Sequence, residues 1–201
     1  FFLSLLICLS NNLNASGGYD NGTSVGKGNL GLDLTWNPFN YWEKGQSYAV
    51  LSYGIYQNLD IHGYYSMPVN RSDNYYLGIF YQFYNTNNLD LATAIGIRKY
   101  LLKTNVHVFF PQFLYTINIS DRYKIGGSFV NIINIRDNYQ NIGSTLDVGF
   151  IIPIIRSKNT KNKIRTVDLT IGAFRPTLWK PKKGSWHPTY SVDFNFYLKK
   201  F

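Results

Sequence analysis

The hydrophobic pattern between residues 74 and 100 alternates with a period of two, in two arms joined by a short polar turn. Tyr75, Leu77 and Ile79 share one phase in the first arm, and Leu89 and Leu91 begin the same phase in the second. Because successive side chains of a strand point to opposite faces, each arm has an apolar face about ten residues long. A tilted strand of about 9–11 residues crosses a bilayer, so this stretch predicts a membrane-spanning β-hairpin.

The same alternation recurs along the chain and predicts ten strands, with eight as the alternative. The first apolar residues that place these strands are Leu30, Ala49, Leu59, Tyr75, Leu89, Val106, Ile125, Leu146, Val167 and Tyr190. Repeated strands with one apolar face predict an all-β fold, an antiparallel up-and-down transmembrane β-barrel.

The predicted connections differ in length at the two ends of the barrel. Residues 57–58 form a tight turn, whereas 37–46, 136–143 and 175–188 are long polar stretches. Bacterial barrels have short periplasmic turns and longer extracellular loops. We therefore expect both termini to lie on the periplasmic side.

The N-terminal stretch Phe1–Ser10 is apolar but does not alternate, which is typical of the hydrophobic region of a secretory signal. Small residues over 15–18 offer a cleavage site; the alternative interpretation is a buried N-terminal strand. Cleavage would remove Cys8, the single cysteine, and with it any disulfide or metal-thiolate site. The expected division is a truncated signal peptide over 1–17, a flexible lead over 18–28 and one barrel domain over 29–201.

Composition supports strands and argues against several other classes. Aromatic residues make up 17% and charged residues 15%, and no run of 18 apolar residues could form a membrane helix. The net charge of +9 comes without a basic helix or a recognised motif, so we expect no nucleic-acid partner. We predict no cofactor and no metal site.

An aspartate between two apolar residues recurs six times in the predicted strands. A carboxylate that faced lipid would be costly, so all six should point into the lumen. The predicted lumen charge network consists of Asp33, Asp60, Asp90, Asp147, Asp168 and Asp193, together with Arg98 and Lys124. These charges either satisfy one another inside a closed barrel or line an ion pathway, and catalytic carboxylates are a further possibility.

The inward phase also carries bulky side chains that would fill the lumen of a barrel of about ten strands. These are Tyr48, Tyr56, Tyr76, Phe80, Tyr84, Phe174 and Tyr197. We therefore predict a barrel that does not conduct steadily, with a narrow cation-preferring path as the alternative. Pro111 and Pro153 lie inside predicted strands, where a closed barrel has no free edge, so bulges are expected at both.

A barrel-embedded hydrolase is the second alternative. The chain has three histidines, His62, His107 and His187, and none belongs to a His-x-Ser pair at a strand end. His107 with Asp137 or Asp147 comes nearest to an acid–histidine site. We predict that the protein is not an enzyme.

A soluble barrel is the remaining alternative, because it has the same alternation with the apolar face inside. The less apolar phase contains glycines at 54, 78, 96 and 126, as a crowded interior requires. The opposite phase lacks the Lys and Glu of a solvated surface, which favours the membrane.

Through its alternating segments, signal-like start and final Phe201, the sequence resembles the small outer-membrane β-barrel proteins of bacteria. The resemblance covers roughly residues 29 to 201, and no family-specific motif is matched. It implies a monomer in the outer membrane, surrounded by lipid and lipopolysaccharide, whose C-terminal aromatic residue is read by the barrel assembly machinery. Residues expected to face lipopolysaccharide phosphates are Arg71, Lys103, Arg175, Lys180, Lys182 and Lys183.

Overall fold

The computed structural model describes residues 21–37, 46–68, 73–100, 106–134, 140–157, 163–176 and 186–198. The expected signal peptide over 1–17 lies outside these ranges, as does Phe201. Within them, no helix is long and apolar enough to cross a membrane.

Ten strands form, as the alternation predicts. They are β1 (Asn29–Asn37), β2 (Gln46–Tyr56), β3 (Leu59–Pro68), β4 (Asn74–Asn85), β5 (Leu89–Tyr100), β6 (Val106–Asn118), β7 (Lys124–Asn134), β8 (Gln140–Arg156), β9 (Ile164–Pro176) and β10 (His187–Tyr197). Each strand pairs with its neighbours in the chain, and β1 pairs antiparallel with β10 to close the barrel. The predicted all-β, ten-stranded antiparallel barrel is confirmed.

The two ends of the barrel are named here by their connections. The short-turn end carries the β2–β3, β4–β5, β6–β7 and β8–β9 connections, and the long-loop end carries those after β1, β3, β5, β7 and β9. The β8–β9 connection, between Arg156 and Ile164, is the exception in length, as the sequence predicts. The predicted loop over 136–143 is shorter than expected, because β8 already begins at Gln140 and pairs there with Asn134.

Bulges interrupt the ladder at both internal prolines, as predicted. The β6–β7 register shifts between Phe109 and Gln112, around Pro111, and the β8–β9 register shifts between Pro153 and Ile155. A proline donates no backbone hydrogen bond, and a bulge removes the need for one.

Further register shifts near the short-turn end correct part of the predicted lumen filling. Tyr56 follows a shift in β2 and pairs with Leu59, while Tyr84 follows a shift in β4 and pairs with Leu91. Because a bulge inserts one residue and reverses the phase, both tyrosines join the outward positions and are exposed. Tyr197 is also about half exposed, at the mouth of the lumen. The prediction that Tyr56 and Tyr84 fill the lumen is wrong, whereas Tyr197 lines the cavity.

Polar side chains fill the inside of this barrel and apolar side chains cover its outside, which is the reverse of a soluble barrel. Of the described buried residues, 20 are polar or charged and 12 are apolar, whereas Leu51, Leu77, Ile97 and other large apolar side chains are exposed on the outer surface. Along β4 the buried and exposed positions alternate strictly from Asn74 to Phe83. An apolar exterior around a polar interior suits lipid and not water, so the soluble alternative does not fit.

Candidate functional site in the barrel lumen

A row of packed side chains lies inside the lumen along β2 to β7, and we call it the aromatic bridge: Tyr48, Tyr64, Tyr76, Val130 and Ile132. The Tyr48 and Tyr64 ring centroids are 5.3 Å apart, edge to face, and those of Tyr64 and Tyr76 are 5.1 Å apart, stacked. Tyr76 then packs against Val130 and Ile132 on β7. The bridge thus lines the lumen from β2 to β7, which is half of the ring of ten strands.

Tyr76 is the central member of the bridge and is held from two sides. Its hydroxyl lies 2.9 Å from Nε2 of His62 and accepts a hydrogen bond of 2.8 Å from Nε2 of Gln112. Its ring lies over two glycines: a Cβ on Gly78 or Gly96 would stand 2.2 or 2.3 Å from Tyr76 atoms. The glycines thus form the recess that lets a tyrosine ring lie flat against the wall.

The lumen towards the short-turn end is an open polar cavity of about 1060 Å³. Its charged lining contains four basic and four acidic side chains: Lys27, Lys124, Arg156 and Arg165, and Asp33, Asp60, Asp168 and Asp193. The formal charges on this wall cancel, so the cavity is polar and neutral overall, not strongly selective for one sign of ion.

Three carboxylates stand side by side on this wall, and we call them the acid row: Asp33, Asp193 and Asp168. Strand register pairs Asp33 with Asp193, and Asp193 with Asp168. Arg156 forms an ion pair with Asp168, with Nη1 2.6 Å from Oδ1. Thr170 donates a hydrogen bond of 3.0 Å to Asp193. The row is therefore compensated by a guanidinium at one end and a hydroxyl in the middle.

The remaining members of the predicted charge network lie elsewhere in the lumen. Asp147 is buried and accepts hydrogen bonds from the backbone N–H and the hydroxyl of Ser128, the latter at 2.7 Å. Arg98 is buried on β5, opposite Tyr76 in the strand register. Lys124 lines the cavity at the start of β7.

Asp60 and Asp90 bind the chain's own N-terminal lead. Ser24 donates a hydrogen bond of 2.7 Å to Asp60, and Thr23 donates one of 2.7 Å to Asp90. Of the expected lead over 18–28, residues 21 to 28 are hydrogen-bonded to the inner wall. Sequence patterning missed this contact because the segment has no hydrophobic periodicity.

The histidines and the basic loop residues occupy distinct places. His62 is buried beside Tyr76, His187 is buried with its ring centroid 5.2 Å from that of Phe174, and His107 lies on β6 opposite Arg98 in register. Among the lipopolysaccharide-contact candidates, Arg175 is exposed at the long-loop end of β9. The candidates outside the described ranges are Arg71, Lys103, Lys180, Lys182 and Lys183. No group of three metal-binding side chains occurs among the residues that the structure describes.

Among known proteins, the chain is similar to solved structures at low sequence identity. No protein-family model and no curated protein matches the chain. The solved structures include a KdgM porin, at 9% identity and a TM-score of 0.49, covering 85% of this chain and 99% of that one. The N-terminal β-barrel domain of Pseudomonas aeruginosa OprF covers the same shares, at 12% identity and a TM-score of 0.38.

The chain's own geometry defines its class. A closed ring of ten antiparallel strands leaves no unpaired edge, and the outer surface is apolar while the lumen is polar. These are the two requirements for strands to cross a bilayer. The protein is a membrane-type β-barrel.

Proposed function

We propose that this chain is an integral outer-membrane β-barrel with a structural or envelope-interaction role, whose lumen does not pass solutes steadily. The observation that carries the proposal is the aromatic bridge. Its members lie on β2, β3, β4 and β7, and Tyr48 and Tyr76 within it are 2% and 5% exposed. Rings that are packed so tightly inside the lumen narrow the path that a solute could take.

The size of the barrel supports the same conclusion. Eight strands give an interior that side chains just fill, and open aqueous channels occur at about sixteen. Ten strands enclose only slightly more space, and here that space holds large buried side chains, including Phe80, Leu114 and Phe174. The cavity at the short-turn end is a vestibule that stops at this packed layer.

The second candidate function is a narrow cation channel, in which the acid row would attract the cations. Cations could enter the cavity past Asp193, but the bridge would still have to open for them to cross. Paired charges on the same wall, such as Arg156 with Asp168, weaken any preference for cations. A hydrolase has less support, because His62 is engaged by the hydroxyl of Tyr76 inside a packed cluster.

Planar-bilayer recordings on the purified, refolded chain test the proposal. We expect no stable porin-sized steps in the wild type and a measurable rise in conductance in Tyr76→Ala, which removes the centre of the bridge. Tyr75→Ala is the matched control, since Tyr75 is the adjacent tyrosine and faces outward. Stable porin-sized steps in the wild type would refute the closed lumen, and small cation-selective events abolished by Asp193→Asn would establish the channel instead.

We further propose that the short-turn end is periplasmic and the long-loop end extracellular, with lipopolysaccharide as the surrounding ligand. The support is the exposed Arg175 at the long-loop end and the basic residues in its neighbouring loop, which would pair with phosphates. Protease added to intact cells should cut within 175–188. Cleavage confined to 156–164 would invert the orientation.

A further inference from the structure

The N-terminal segment Asn21–Gly28, which we call the strap, lies inside the lumen at the short-turn end. Asp60 holds it with both carboxylate oxygens: Oδ1 accepts from the hydroxyl of Ser24 at 2.7 Å, and Oδ2 accepts from the backbone N–H of Val25 at 2.9 Å. Asp60 itself is 3% exposed. A buried carboxylate without hydrogen-bond donors would be costly, and the strap supplies two donors to Asp60.

Contacts on the next three strands continue the attachment. The backbone N–H of Ser24 donates to Oε1 of Gln82 at 3.1 Å, and the hydroxyl of Thr23 lies 2.7 Å from Oδ2 of Asp90. The backbone N–H of Gly22 donates to the hydroxyl of Thr116 at 2.9 Å. These partners lie on β4, β5 and β6, so with Asp60 on β3 the strap is fastened to four consecutive strands.

Glycines let the strap lie directly on the wall. A Cβ on Gly54 would stand 1.9 Å from the carbonyl oxygen of Gly26, and one on Gly22 would stand 2.7 Å from the carbonyl oxygen of Asp90. Gly54 also accepts a backbone hydrogen bond of 2.8 Å from Gly28. Gly26 and Gly28 have φ of 80° and 73°, a conformation that favours glycine, where the strap turns into β1.

The strap also forms one side of the polar cavity. Residues 21 and 23–27 line it, facing the acid row and the basic residues Arg156 and Arg165 across the open space. Access to the cavity at this end therefore depends on where the strap lies. Detaching it would widen the entrance without disturbing the aromatic bridge.

We propose that the strap is a closing device for the short-turn mouth of the lumen, with Asp60 and Asp90 as its anchors. Two of the carboxylates that the sequence assigns to a charge network thus recognise hydroxyl and backbone N–H groups of the chain's own lead. The inner wall over β3 to β6 is then a binding surface for an extended peptide segment. This inference goes beyond the proposed function, because it requires neither a closed bridge nor a particular orientation in the membrane.

A disulfide tests the position of the strap. The hydroxyls of Thr23 and Thr116 are 3.0 Å apart, so cysteines at these positions can bridge with little movement. In the full chain with Cys8→Ser, the Thr23→Cys/Thr116→Cys pair should cross-link under mild oxidation once the barrel has folded. The matched control is Thr23→Cys/Thr170→Cys, because Thr170 is buried in the lumen on β9. Equal cross-linking of both pairs, or none in either folded barrel, would overturn the proposal.

The rate of cysteine labelling tests whether Asp60 and Asp90 hold the strap in place. A cysteine at Val25 should react slowly with a water-soluble maleimide in the folded barrel, and Asp60→Ala or Asp90→Ala should speed the reaction about tenfold or more, because hydrogen bonds to a charged group are lost. Asp60→Asn keeps the side-chain volume and should give a smaller increase in the same direction. Asp147→Ala, which removes a buried carboxylate that binds Ser128, should leave the rate unchanged. Heat-modifiable migration confirms folding of each variant; unchanged labelling in folded Asp60 and Asp90 variants would refute the anchors.

Discussion

The two halves of the lumen are occupied in different ways. Towards the long-loop end, rings and aliphatic side chains pack against one another from β2 to β7, and the hydroxyl of Tyr76 is satisfied by His62 and Gln112. Towards the short-turn end, the wall is charged, the space is open, and a strap of eight residues is hydrogen-bonded to it. One barrel wall thus supports a packed layer and a hydrated vestibule.

The difference shows which forces act at each level. In the packed layer, water is excluded, so shape complementarity decides stability and a single methyl group matters. In the vestibule, water screens the charges, so an ion pair such as Arg156–Asp168 contributes little on its own. We therefore expect substitutions in the aromatic bridge to have larger effects than substitutions in the acid row.

Tyr76→Ala should have the largest effect on stability. It removes a ring that is 5% exposed and leaves His62 and Gln112 without their shared hydroxyl. We expect a loss of about 3–5 kcal/mol in the free energy of unfolding, measured by urea titration in lipid vesicles. Tyr75→Ala, on the outer face of the same strand, should cost clearly less. Equal losses would mean that the bridge is not a packed layer.

Gly96→Ala should have the next largest effect, and a double-mutant cycle isolates its cause. The new Cβ would stand 2.3 Å from the Tyr76 ring, so overpacking should destabilise the barrel by about 1–3 kcal/mol. In the Tyr76→Ala background the ring is absent, and the same substitution should cost close to nothing. A cost that persists there would place the strain in the backbone and not in the recess.

Much of the fold could be predicted from the sequence, because the alternation of a strand is a local property. All ten strands follow from it, and both proline bulges follow from the missing N–H of proline. The phase of Tyr56 and Tyr84 could not be predicted, because their bulges contain no proline. Gly54 stands at the β2 shift, but Gly78 stands in β4 without one, so a glycine alone does not predict a bulge. A register shift of one residue reverses the face of every side chain that follows it.

The candidate site was less predictable, because its contacts join residues far apart in the chain. Patterning indicated that Asp60 and Asp90 face inward, but their partners are Ser24 and Thr23, which lie 36 and 67 residues away. Gly22, Gly26 and Gly28 gave a compositional signal of a turn-rich segment, and that signal does not distinguish a free lead from a bound one. The aromatic bridge could not be predicted for the same reason, because Val130 contacts Tyr76 only in the folded barrel.

Asp193→Asn should have the smallest effect, and it should be stabilising. Asp193 lies between Asp33 and Asp168 in the strand register, and like charges directly opposite each other repel. An asparagine can still accept from Thr170, so we expect a gain of about 0.2–1 kcal/mol in the free energy of unfolding.

Asp147→Asn is the control for the gain in the free energy of unfolding that we expect for Asp193→Asn. Its carboxylate faces Phe174 in register and accepts hydrogen bonds from Ser128, so neutralising it should destabilise the barrel. The opposite ranking, with Asp193→Asn the more damaging of the two, would show that the acid row stabilises the fold.

The most direct test of the account is a nitroxide scan along β4, at positions 77 and 79 to 82 in the full chain with Cys8→Ser, after insertion into lipid vesicles. Outward positions such as Leu77 and Ile79 are 57% and 53% exposed on the barrel surface and should contact lipid. The account predicts that spin labels at 77, 79 and 81 are relaxed by oxygen far more than by a water-soluble nickel complex, and that labels at 80 and 82, which point inward, are reached poorly by oxygen. Strong relaxation by the nickel complex at Leu77 and Ile79 would show that this face lies in water, and would contradict the assignment of the chain as a membrane-spanning barrel.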